Sequence, residues 1–237
     1  MNYLFDVMAY IVKWRIDGNA VSFSNKFIQS NYFQIAQKQT PTYRTFGGVT
    51  PPMTTAQKLK TLTHMVADNL NVNVMKFGSR LVAISDETGE MEIDEMNLDT
   101  IGLLKFNDTF TTPLTMITCA HPSKLPDDKY IYNYQVHVMG NIKHPSEMDR
   151  WEFYRIDTSG GDLLTREILL EMPIKNGHTP YMHSFAHTPN YIVVFQFPLF
   201  WEIMKITMST KILPAMKWTP ENGTAVRVID KKTWRVS

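Results

Sequence analysis

The chain is a succession of short runs in which apolar and polar residues alternate, each run cut off by a turn signal. A period of two puts every second side chain on one face, which is the pattern of a half-buried strand. Tyr10, Val12, Trp14 and Ile16 alternate with Ile11, Lys13 and Arg15. Asp17-Gly18 predicts a hairpin turn, and the return strand sets Val21, Phe23 and Phe27 against Ser22, Ser24 and Lys26. Residues 72–77 and 81–85 form a second pair around Gly78-Ser79. The cleanest alternation spans 130–138, where Tyr130, Tyr132, Tyr134, Val136 and Val138 share one face. Further strands are expected at 103–106, 114–119, 151–156, 164–170, 192–199 and 225–229. Many short strands with little helix predict an all-β domain. About eleven strands exceed one simple sandwich sheet and suit two to three four-stranded propeller blades.

Two stretches break the habit. Thr54-Thr55 can cap a helix over 56–67, with Leu59, Leu62, Met65 and Val66 on one face. Residues 199–213, with Phe200, Trp201, Met204 and Ile212, are mostly apolar and read as helical. Residues 40–55 read as loop, punctuated by Thr40-Pro41, Gly47-Gly48 and Pro51-Pro52. The acidic run Asp86-Glu87-Thr88-Gly89-Glu90-Met91-Glu92 has the composition of a solvated turn.

Bulk properties narrow the function. Lys+Arg 24 against Asp+Glu 23 leaves no net field to attract nucleic acid, and no basic cluster is interleaved with aromatics. A single cysteine, Cys119, rules out an intramolecular disulfide framework and fits a reducing compartment. No apolar run reaches the length of a membrane span, and the N-terminal stretch lacks a basic leader, so a cytoplasmic chain is expected. His183 precedes a turn at Thr188-Pro189-Asn190 and lies between Met182 and Phe185. An imidazole among apolar neighbours needs a partner, which a metal, a carboxylate or a backbone carbonyl can supply.

Several motifs resemble the carotenoid cleavage oxygenase family in colinear order. Phe5-Asp6 looks like its Phe-Asp-Gly, with Val7 in place of the glycine. Asn25-Lys26-Phe27-Ile28-Gln29-Ser30 is similar to Asn-Arg-Phe-x-x-Ser/Thr, and Thr45-Phe46-Gly47-Gly48 to a following Phe-Gly-Thr loop. Asn71-Val72-Asn73-Val74, residues 81–85 and Leu98-Asp99-Thr100 continue the match. The specific motifs are Ala120-His121-Pro122 and residues 181–191 around His183, followed by Trp218-Thr219-Pro220-Glu221 and Asp230-Lys231.

The resemblance implies part of a seven-bladed β-propeller under a helical or loop cap, with residues 1–237 as a partial domain truncated at both ends. It implies four histidines on one Fe(II), with His121 the first and His183 the second. The third and fourth motifs would lie beyond residue 237. It implies carboxylates that orient the ligands, the first falling on Asp86 in place of the family's glutamate, or on Glu87 after a one-residue shift. The implied reaction is O₂-dependent cleavage of a conjugated double bond in an apolar polyene, a carotenoid or apocarotenoid, to carbonyl products. The alternative is a truncated or degenerate paralogue that binds a polyene without chemistry. Residues 199–213 correspond to a tunnel-mouth element that leans on a membrane in family members, so Phe200, Trp201, Met204 and Ile212 are candidates for peripheral membrane contact. His64, His137, His144, His178 and His187 sit outside matching motifs and are expected on the surface or on the far strand faces.

Overall fold

The computed structural model describes residues 7–38, 54, 68–87, 89–107, 115–137, 149–161, 163–174, 179–202 and 215–237. Most of the regular structure in these residues is strand. Strands β1 (Tyr10–Asp17) and β2 (Ala20–Phe27) pair antiparallel, Tyr10 opposite Phe27 and Asp17 opposite Ala20. The connecting residues are Gly18 and Asn19, one position later than the dipeptide suggested, and Gly18 takes the left-handed φ of 56° that this tight turn requires.

Two complete four-stranded meanders follow. The first runs β3 (Asn73–Phe77), β4 (Arg80–Ile84), β5 (Met91–Ile93) and β6 (Thr100–Leu103). The second runs β7 (Thr115–Thr118), β8 (Tyr130–His137), β9 (Asp149–Asp157) and β10 (Thr165–Ile174). Beyond them β11 (Thr179–Pro180), β14 (Leu199–Trp201) and β15 (Met216–Trp218) form one three-stranded sheet. Strands β12 (Ala186–His187), β13 (Tyr191–Gln196) and β16 (Ala225–Asp230) form another.

The sheets stack face to face, and each interface is a hydrophobic cluster. Ala9, Ile28 and Leu70 pack on Ala83, Met91 and Ile93 of the first meander. Its opposite face, with Phe77, Val82 and Ile84, packs on Ile131, Tyr154 and Ile156 of the second. The far face of the second, with Tyr134, Trp151 and Phe153, packs on Met182, Ile192, Val194, Trp201 and Ile229. Successive meanders covered on both faces are the arrangement of propeller blades, and each large side chain fully buried there contributes about 1.5–3 kcal/mol.

Several local expectations change. Residues 86–92 are not a solvated turn: Asp86, Glu87 and Glu90 are buried, and Met91–Ile93 is the third strand of its blade. The strand expected at 103–106 lies earlier, at Thr100–Leu103. Strand β8 is buried on both faces rather than one, because it lies between β7 and β9 and between two core clusters. The stretch from 199 opens as a strand, not a helix, and Phe200 and Trp201 are buried in it. Both side chains are therefore packed inward rather than presented as the exposed surface element expected here. Met204 and Ile212, the loop expected at 40–55 except Thr54, and the helix expected over 56–67 lie outside the described residues. The periodicity gave no sign of the short helix α1 (Asn31–Gln37), about two turns long. It starts because Ser30 Oγ accepts the Phe33 N–H and the Asp68 carboxylate accepts those of Asn31 and Tyr32. No described helix is long and apolar enough to cross a membrane.

Candidate metal centre

Two irregular segments bring the site together: residues 119–123, which leave β7, and residues 181–185, which precede β12. Irregular backbone must find hydrogen bonds outside a ladder, and here side chains supply them. Asn133 Nδ2 donates to the Cys119 carbonyl at 3.1 Å, and Asn73 Nδ2 to that of Ala120 at 2.9 Å. The Ala120 N–H donates to Asp86 Oδ1 at 2.9 Å. The Cys119 thiol donates to the His183 carbonyl at 3.1 Å, and its sulfur accepts the His121 backbone N–H at 3.3 Å, so one buried sulfur ties the two segments. The fully buried Tyr134 hydroxyl donates to the Met182 carbonyl.

The imidazoles of His121 and His183 converge. Their Nε2 atoms are 3.0 Å apart and the rings meet edge to face. His183 Nδ1 lies 2.7 Å from Asp86 Oδ2, and the Tyr181 hydroxyl donates to the same oxygen at 2.9 Å. A carboxylate acceptor puts the proton on Nδ1 and leaves the Nε2 lone pair directed at His121. Asp86, not Glu87, makes this contact. Glu87 is buried alongside, its N–H held by Ser85 Oγ at 3.1 Å.

The charges suit ligation. Burial, and then the neighbouring His183 ring, hold the His121 imidazole below its ordinary pKa, so it is neutral at pH 7. Burial pushes the Cys119 thiol up to about 12, so it stays protonated and does not compete as a thiolate. Burial, and then the Asp86 charge, likewise raise the Tyr181 phenol and keep it a donor. Two nitrogens bound at right angles to one divalent ion, each at ~2.1 Å, are about 3.0 Å apart. The observed Nε2 separation of 3.0 Å fits such a pair. Among the described residues no group of three His, Cys, Asp or Glu side chains forms a complete metal cage. His183 keeps 47% of its side chain exposed, so the pair has an open side.

The remaining described histidines are elsewhere. His137 is buried, not superficial, 3.2 Å from the Glu152 carboxylate. His187 is partly buried with both ring nitrogens engaged, by Ser123 and Lys231. Burial, and then the Lys231 charge, lower its pKa to about 4. His64, His144 and His178 lie outside the described residues. Reading residue types alone missed Tyr181, Cys119, Asn73 and Asn133. Asn133 could have been found, as an amide amid the alternation of β8 that must bond to something once buried.

Comparison with known proteins places the chain in a family. The family described as retinal pigment epithelial membrane protein, RPE65, matches residues 1–237. Carotenoid cleavage dioxygenase 8 of Arabidopsis thaliana is 24% identical over 99% of this chain and 41% of its own length. The carotenoid isomerooxygenase of Galleria mellonella is 23% identical, over 97% of this chain and 46% of that protein. Cobalt-substituted Synechocystis ACO superposes with a TM-score of 0.70 at 19% identity, covering 98% of this chain and 47% of that one. An ACO/RPE65 chimera gives 0.71 at 18% identity, covering 98% and 47%. The chain thus spans less than half the length of these relatives. With a propeller-type stack of blades and a match from its first residue to its last, the chain belongs to the RPE65/carotenoid cleavage oxygenase family.

Proposed function

We propose that this chain carries one half of the Fe(II) centre of a dioxygenase that cleaves a conjugated double bond of a carotenoid or apocarotenoid. The observation that carries the reading is the convergence of the two Nε2 atoms at 3.0 Å with His183 backed by Asp86. His121 and His183 act as ligands through Nε2, and imidazoles from outside this chain complete the set within a larger seven-bladed propeller. When bound, Fe(II) supplies activation of O₂ beside the alkene, which ends as two carbonyl products.

The chain's own residues prepare the site. Asp86 accepts a hydrogen bond from the Nδ1–H of His183, fixing its tautomer and raising its basicity as a ligand. Tyr181 donates to the same carboxylate oxygen and the Ala120 N–H to the other, which together limit its rotation. Asn73, Asn133 and Asp86 hold the backbone behind His121, so its ring is placed before a ligand arrives. The relatives named as carotenoid-cleaving enzymes supply the substrate class.

The test is turnover by the full-length protein of an apocarotenal under O₂, with products separated by chromatography. Two carbonyl products in wild type, lost in His121→Ala and His183→Ala, are expected. Undiminished cleavage by His183→Ala overturns the ligand assignment. Polyene binding without product in iron-replete wild type favours the non-catalytic alternative.

A further inference from the structure

Ser123, His187 and Lys231 form a hydrogen-bonded chain that the centre itself does not use. Lys231 Nζ is 2.8 Å from His187 Nε2, and His187 Nδ1 is 3.1 Å from Ser123 Oγ. A lysine ammonium has only donors, so Nε2 accepts, Nδ1 carries the proton and Nδ1–H donates to Ser123. With both nitrogens committed, His187 is not available as a metal ligand. The direction of the chain also leaves Ser123 without a base, so it is not an activated nucleophile.

What the chain joins gives it a role. Ser123 is two residues from His121, separated only by Pro122, whose ring fixes φ. Its backbone N–H and C=O both pair with Tyr132 at 2.8 Å. His187 closes the segment that begins with His183. Lys231, 11% exposed, stands between the two segments. Its N–H donates to the Asn190 carbonyl at 2.9 Å, its ammonium lies 3.7 Å from Asp128 Oδ2, and it sits 4.4 Å from the centre of the Tyr132 ring. The other side of the contact is also packed, since the Tyr132 and His187 rings are 4.7 Å apart.

Resting on the ligand assignment above, we propose that Ser123, His187 and Lys231 are a positioning clamp that sets the separation of His121 and His183. The clamp crosses between the two segments at Ser123 and His187, whereas Asp86 and Cys119 join them at Ala120 and His183. Two ties fix the relative tilt of the segments, where one would leave a pivot. An error of a few tenths of an ångström at Nε2 matters because metal–nitrogen bonds tolerate only about 0.2 Å.

Co(II) titration of the full-length apoprotein, read by its visible ligand-field bands, tests the clamp, with circular dichroism confirming the fold. His187→Leu is expected to weaken Co(II) binding by about 10- to 100-fold, the range for residues that orient ligands, and to shift the bands. His187→Asn retains a donor for Ser123 and is expected to recover part of both. Ser123→Ala cuts the chain at its other end and is expected to shift the bands in the same direction, which keeps the test decisive if the leucine variant does not fold. Wild-type affinity and bands in the folded variants, while His183→Ala loses Co(II), overturn the clamp alone. Retention of Co(II) by His183→Ala overturns the ligand assignment beneath it.

Discussion

Strand β8 and the β1–β2 hairpin share one sequence pattern and have opposite fates. Both alternate apolar and polar residues with a period of two. In β8 both faces are covered, and even Asn133, Gln135 and His137 are buried. In the hairpin the face shared by Trp14, Ile16, Val21 and Phe23 stays open, with Trp14 64% and Ile16 76% exposed. Periodicity decides which side chains share a face, but only neighbouring sheets decide whether that face is buried. β8 has a partner strand on each edge and a blade on each face. Among the described residues the hairpin pairs only with itself, and it offers Ile11, on its other face, to the core.

The largest contrast is expected in the cores. Phe153→Ala, at a site 1% exposed, should cost about 3–5 kcal/mol in chemical denaturation. Trp14→Ala should change stability by less than about 0.5 kcal/mol. A cost for Trp14→Ala near that of Phe153→Ala would mean that other residues cover the hairpin in the intact protein, and would confine the contrast to this chain.

The polar side of β8 comes next. Glu152 is 1% exposed and accepts hydrogen bonds from Gln135 at 2.7 Å and Arg150 at 2.7 Å, with His137 at 3.2 Å. Removing one member of a buried charged network strands the others, so Glu152→Ala should cost about 3 kcal/mol. No comparable loss is expected from Asp17→Ala in the hairpin, whose pair with Arg15 spans 3.7 Å in solvent.

Acid should reveal the same asymmetry. Burial alone would raise the Glu152 carboxyl, but hydrogen bonds from His137 and Gln135 and the Arg150 charge more than offset it and hold the pKa below 4.5. The unfolded chain therefore takes up that proton first, so this stability is present above about pH 4.5 and lost as pH falls. His187 is held down from 6.5 to about 4. Its contribution is complete above about pH 6.5 and lost as pH falls toward 4, because the unfolded imidazole protonates before the folded one. Solvent around its partly exposed ring screens the effect to less than about 2 kcal/mol. Melting temperature against pH should fall in two stages, and His187→Asn should remove only the upper one.

The smallest contrast lies in two turns. Gly18 and Gly78 both have left-handed φ, 56° and 63°. A Cβ at Gly18 meets nothing within 4 Å, whereas one at Gly78 comes 3.2 Å from the Thr158 carbonyl of the next blade. Gly18→Ala should cost about 1 kcal/mol from backbone strain. Gly78→Ala should cost more, about 1–2 kcal/mol, and equal costs would show that the blades shift freely at this contact.

Much of the molecule was legible in its residues, for identifiable reasons. The hairpins around Gly18 and Gly78 were visible because glycine marks positive φ between alternating runs. Family membership was legible in colinear motifs, above all Ala120-His121-Pro122. The burial of Asp86 was not, since an acidic run is usually solvated and only the fold brings His183 97 residues away onto its carboxylate. Phe200 and Trp201 suit either an interface or a core, and a strand pairing with Lys217 and Met216 decided for the core. His187 looked idle because its partners are 64 and 44 residues distant.

Iron content of the full-length protein, wild type against His183→Ala, bears most directly on the metal assignment. Stoichiometric iron in wild type and its loss in a folded His183→Ala variant is the expected result. Equal iron in the two proteins would contradict His183 as a ligand and leave its contact with Asp86 a structural one.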